Sequence, residues 1–174
     1  MKLRFVIALV CMGLASLAHA ETSNPADDAR VLKEFSTNAT VPGAVLQLTL
    51  LTNRSMDALW RDDAARNTLG IEVFNSGTSF LVTGKSSGKF GPVTGVALVQ
   101  DGKSTPAKIV NVSNLNGTEV PSGQKILGLL EFSSKVDLTK PFTVVVNDSS
   151  AKFSVTRDAA ERWGAVTRPP GQGF

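Results

Sequence analysis

From Leu69 onward, short runs of β-branched and aromatic residues alternate with clusters of turn residues, and no other feature of the chain limits its fold as much. Gly70–Asn75, Ser79–Thr83, Val93–Gln100, Ala107–Ser113, Lys125–Phe132, Phe142–Asn147 and Ala151–Thr156 each read as a strand. The breaks hold residues suited to tight turns: Ser76-Gly77, Asp101-Gly102, Asn116-Gly117, Pro121-Ser122-Gly123 and Asp148-Ser149-Ser150. Ala44–Thr52, after the Val41-Pro42-Gly43 turn, is an eighth candidate. Strand alternation puts its Leu46, Leu48 and Leu50 on one face and Val45, Gln47, Thr49 and Leu51 on the other. Both faces are fairly apolar, as expected of an inner strand or one partly covered by a helix. Short strands joined by hairpin-like loops predict a mainly β domain. The expected architecture is an immunoglobulin-like antiparallel β-sandwich of about seven to eight strands with two or three short helices.

The helices come from local signals. Asn24 caps a helix that has Pro25 at its first position and Asp27 and Asp28 in its first turn, and it ends near Phe35. Ser55 is placed to cap Met56–Asn67, with Met56, Leu59, Trp60 and Ala64 along one side. The pairs Asp57/Arg61 and Asp62/Arg66 are spaced to support an exposed helix. Arg157–Val166 predicts a terminal helix with Trp163 folded back on the sheet.

Residues 1–20 have the form of a cleaved secretory signal peptide. Lys2 and Arg4 precede an uncharged apolar stretch, and Ala18-His19-Ala20 is a small-x-small cleavage site. The apolar stretch is shorter than the roughly 20 residues that span a bilayer. Cys11 lies inside it and follows Val10, which does not suit lipid attachment. The expected organisation is a leader over 1–20, one domain over 21–166 and a flexible tail over 167–174. Cleavage removes two of the 18 basic residues and leaves 16 against 15 acidic ones, a formal net charge of +1. That balance gives no support to nucleic-acid binding, and no integral membrane segment is expected after cleavage. Export without disulfides fits a bacterial periplasm or secretion.

The leader also holds Cys11 and His19, the only cysteine and histidine, and the chain has no tyrosine. Cleavage would remove the usual ligands of zinc, copper, haem and iron–sulfur sites and most near-neutral acid–base groups. No cofactor and no metal are therefore expected. An outer-membrane barrel suits eight strands and a C-terminal Phe174, but the absence of tyrosine and the Pro-Pro-Gly-Gln-Gly ending argue against it.

Residues 83–91, Thr-Gly-Lys-Ser-Ser-Gly-Lys-Phe-Gly, are the most polar and mobile-looking segment. Its Gly-Lys-Ser lacks the upstream glycine of a phosphate loop, because Ser79 holds that position. Ser86-Ser87-Gly88-Lys89 matches Ser-x-x-Lys, but Gly84 and Gly88 disfavour the helix that would bring the amine to the hydroxyl. Asp27/Asp28 and Asp62/Asp63 lie in helical patterns that already explain them, and Glu72, Glu119 and Glu131 lie on or near strands. As a binding loop the segment is better equipped, and Lys85, Ser86, Lys89 and Phe90 are the candidate binding residues. The expected function is a non-catalytic exported binding module of the bacterial cell envelope, of protein-partner, inhibitor or immunity type. Its expected partner is another envelope or exported protein. The alternative is a small periplasmic hydrolase using a Ser/Lys or carboxylate pair.

Overall fold

A computed structural model describes residues 25–60, 77–91, 93–113, 115, 119–155 and 157–162. The leader with Cys11 and His19, the strand expected over 70–75, the second helix beyond Trp60, the Asn116-Gly117 turn, Asp62/Asp63, Trp163 and the tail lie outside these residues.

The described chain runs α1 (Pro25–Phe35), β1 (Ser36–Val41), β2 (Ala44–Leu50), α2 (Asn53–Leu59), β3 (Thr78–Ser86), β4 (Val96–Gln100), β5 (Lys103–Ser113), β6 (Lys125–Phe132), β7 (Phe142–Val146), β8 (Ser149–Phe153) and α3 (Arg157–Arg162). The strand order in space is β1-β2-β3-β6-β5-β4-β7-β8, with every neighbouring pair antiparallel. A mainly β, antiparallel domain with short helices agrees with the sequence. The strands form one nearly closed, barrel-like sheet, where two packed sheets of immunoglobulin-like type were expected.

The curl of the sheet is read from its phenylalanines. Phe80 on β3 meets Phe132 on β6 edge-on at 5.8 Å, and also meets Phe142 on β7 at 6.1 Å and Phe153 on β8 at 5.2 Å. Strands third, seventh and eighth in the order can share one ring cluster only if the sheet wraps back on itself. The outermost strands, β1 and β8, then lie alongside each other, and among the described residues no ladder joins them. Twisted strands curl in this way, and eight of them enclose a space that side chains can just fill.

Alternation supplies the filling. Leu46, Leu48 and Leu50 of β2, Phe80 and Val82 of β3, and Ile126, Leu130 and Phe132 of β6 are buried inside. Full burial of a side chain of this size contributes about 1.5–3 kcal/mol. Val31 and Phe35 of α1 pack into the core at the end where β1 starts. Toward the other end Leu115 lies over Gly128, where a Cβ would come within 2.1 Å of the leucine side chain, so a larger residue there would have to displace it.

A second apolar cluster sits on the outside of the wall. Leu51, Leu81 and Leu129 are buried with Met56 of α2, and Leu59, Trp60 and Leu127 pack at its margin. Helix α2 therefore covers part of the outer face of β3 and β6, which explains why their sequences are apolar at consecutive positions. The cap of α2 is Thr52, where Ser55 was expected. The Ser55 amide donates to Thr52 Oγ1 (3.1 Å) and the Thr52 amide to Ser55 Oγ (2.8 Å), a reciprocal capping box. Among the described residues no helix is long and apolar enough to cross a membrane.

Candidate functional site

The segment chosen from the sequence lies at the end of the barrel that carries the β1–β2 turn, and it is tightly held. Ser86, the last residue of β3, points inward and is buried. Its hydroxyl donates to the Pro121 carbonyl, lies 3.3 Å from the Gln124 carbonyl and accepts the Gln124 amide at 3.0 Å. The Ser86 backbone reinforces this: its amide donates to Gln124 O (3.0 Å), and its carbonyl accepts the Gly123 amide (2.8 Å). Phe90 is also buried and exchanges two backbone hydrogen bonds with Val120, at 3.1 and 2.7 Å. The β1–β2 turn joins in through Gly43, whose carbonyl accepts the Ser87 amide at 2.8 Å. Gly43 has φ +78° after Pro42, the pattern of a type II turn, and a Cβ there would lie 2.3 Å from the Lys89 carbonyl oxygen.

The two lysines of the segment differ. Lys89 is exposed, and its ammonium lies 2.6 Å from Glu119, an ion pair open to solvent and therefore weak. Lys85 is exposed on the outer face of β3, opposite Val45 of β2 on one side and Lys125 of β6 on the other. Thr40 of β1 extends this row across four strands. Val45 is 53% exposed, the one large hydrophobic residue among the described ones that is open to solvent to this degree. The next outward row holds Asn38, Gln47, Thr83 and Leu127. Neither row contains a carboxylate. Lys85 and Lys125 stand directly opposite each other on adjacent strands, which concentrates positive charge on this face.

Charge is segregated across the described fold. The strands carry Lys85, Lys103, Lys108, Lys125 and Lys152 against a single acid, Glu131, which lies 3.2 Å from Lys108. Carboxylates otherwise sit on helices and connections: Asp27, Asp28 and Glu34 on α1, Asp101 and Asp137 on loops. Composition singles out the loop and passes over Val45 and Lys125. The sign of charge along the strands, together with the pairing register, is the signal that finds them.

The opposite end holds a polar clamp. Gln100 Nε2 donates to the Asp137 carbonyl (2.9 Å), and the Asp137 amide donates to Gln100 Oε1 (2.8 Å). The Thr139 hydroxyl and amide both donate to the Asp137 carboxylate and hold it below the usual carboxylate range. Lys140 donates to Asp101 at 2.8 Å, which raises the ammonium above its ordinary value. These contacts tie the β4–β5 hairpin to the loop before β7.

Among the described residues, the groups considered for catalysis from the sequence find other partners. The Ser86 hydroxyl is engaged with backbone, and Lys89 with Glu119. Asp28 is buried 3.5 Å from Arg54. Among the described residues no group of three or more His, Cys, Asp or Glu is placed to hold a metal ion. Compared with protein-family models, curated proteins and solved structures, the chain has no match.

Proposed function

We propose that this chain is a non-catalytic exported binding module of the bacterial cell envelope. Its partner is another envelope or exported protein, met on the outer face of β1, β2, β3 and β6. The observation that carries this reading is the row Val45–Lys85–Lys125, an exposed aliphatic side chain beside two lysines set directly opposite each other. Such a row offers positive charge and a small apolar contact to an anionic, partly apolar surface laid over it. Of the four loop residues chosen from sequence, Lys85 belongs to this face, while Ser86 and Phe90 build the barrel end beneath it. The hydrolase alternative needs a serine hydroxyl beside a free amine, and the partners of Ser86 and Lys89 oppose that. Export rests on the form of residues 1–20. The sandwich expectation keeps one sense in this reading: two halves of the sheet face each other across the phenylalanine cluster, leaving the outer faces for contact.

The test is site-specific photo-crosslinking in the producing cell. A photoreactive residue at position 45 is expected to give one discrete protein adduct, and the same residue at position 150 on β8 is expected to give none. No adduct from position 45, or the same adducts from both positions, would contradict the proposal.

A further inference from the structure

We infer that the outer edge of β1 pairs with β1 of a second copy of this chain, joining two barrels edge to edge about a two-fold axis at Asn38. The contact is independent of the binding reading above.

Val41 and Ala44 close a two-residue hairpin, so Val41, Ala39 and Thr37 exchange main-chain hydrogen bonds with β2. The amides and carbonyls of Asn38 and Thr40 then point the other way, toward the seam with β8. Among the described residues no ladder joins β8 to β1, so β8 yields this edge without losing a ladder hydrogen bond. The main-chain donors and acceptors of an edge strand are a template for another strand, and proteins blunt such edges with lysine, proline or a bulge. On the other side of the seam β8 carries Lys152. β1, Ser36-Thr-Asn-Ala-Thr-Val41, has none of these devices and keeps an unbroken register with β2.

β1 is complementary to itself. An antiparallel copy centred on Asn38 sets Asn38 opposite Asn38 and Thr40 opposite Ser36. Amides and hydroxyls both donate and accept, so each outward side chain meets one that satisfies it. Gln47 stands beside Asn38 on β2, and the row across the axis reads Gln47–Asn38–Asn38–Gln47. No charge opposes the approach. β1 has none, and Lys85 on β3 lies about 14 Å across the sheet from β1 of the copy, beyond the ~8 Å screening length at physiological salt. Pairing of one short strand buries less than the roughly 1,200 Å² of a stable interface, so the dimer is a weak, reversible one. It sets the outer faces of both copies, each with its Val45, on one side of a continuous sheet.

The experiment is cysteine crosslinking of the protein purified from the producing cell. Beyond residue 20 the chain has no cysteine, so a single introduced one reports alone. In the paired edges Asn38→Cys brings two Cα atoms to about 5.5 Å, within disulfide range. Under mild oxidation this variant is expected to form a disulfide-linked dimer about tenfold or more faster than Ser104→Cys, an exposed position on β5. Thr40→Pro removes a main-chain donor from the seam side and leaves the β1–β2 ladder intact, and it is expected to abolish that advantage in Asn38→Cys. The parent needs no substitution for a second readout. As its concentration rises, the NMR signals of the Asn38 and Thr40 amides are expected to shift, and those of Lys108 and Glu131, across the barrel, to stay in place. Equal rates at positions 38 and 104, an advantage at 38 that survives Thr40→Pro, or an absence of shifts on β1 would each overturn the inference.

Discussion

The two faces of β3 put neighbouring residues to opposite uses. On the inner face, Phe80 gathers the rings of Phe132, Phe142 and Phe153, and Ser86 fastens residues 121–124 to the strand. On the outer face, one residue away, Lys85 stands between an exposed valine and another lysine. Inside, each group is matched by a packing or hydrogen-bonding partner. Outside, Val45 is open to solvent and two lysines stand on adjacent strands. The difference between the faces separates the residues that build the core and the barrel end from an exposed row that packing does not require.

The largest expected effect belongs to the inner face. Phe80→Ala removes the ring common to three aromatic contacts, and a loss of about 3–5 kcal/mol in unfolding free energy is expected from urea denaturation. A loss below about 1 kcal/mol would mean that the ring cluster does not hold the curl of the sheet. Ser86→Ala is expected to cost less, about 0.5–1.5 kcal/mol, because it removes the part-buried side-chain hydrogen bonds that tie Pro121 and Gln124 to the end of β3. Its amides at Gly123 and Gln124 are expected to exchange with solvent faster than in the parent. Full retention of stability would return Ser86 to the list of candidate contact residues and blur the distinction between the faces.

Much of the inner face was legible in the sequence. The alternation of Leu46, Leu48 and Leu50, and the apolar runs that became β3, β6 and β7, followed from period-two patterning alone. β1 was not read as a strand because Ser36-Thr-Asn-Ala-Thr-Val41 is mostly polar; it lies at the seam beside β8, with only Ala39 and Val41 fully buried. Closure into one sheet was out of reach for a different reason. It depends on β6 pairing with β3 and β4 with β7, choices between strands of similar composition made by packing at long range. For the site, composition found Lys85 but also drew in Ser86 and Phe90, since a polar, glycine-flanked stretch looks loose until its hydrogen-bond partners at Val120, Pro121 and Gln124 are known. Val45 and Lys125 are 40 residues either side of Lys85 and join it only through strand register.

The Val45–Lys85–Lys125 row stands outside what the fold requires. Urea denaturation of Lys85→Glu tests it most directly, because the substitution turns a like-charge neighbour of Lys125 into an opposite-charge one. The variant is expected to be as stable as the parent or more stable by up to about 1 kcal/mol. A variant less stable by about 1 kcal/mol or more would instead place Lys85 among the residues that build the barrel.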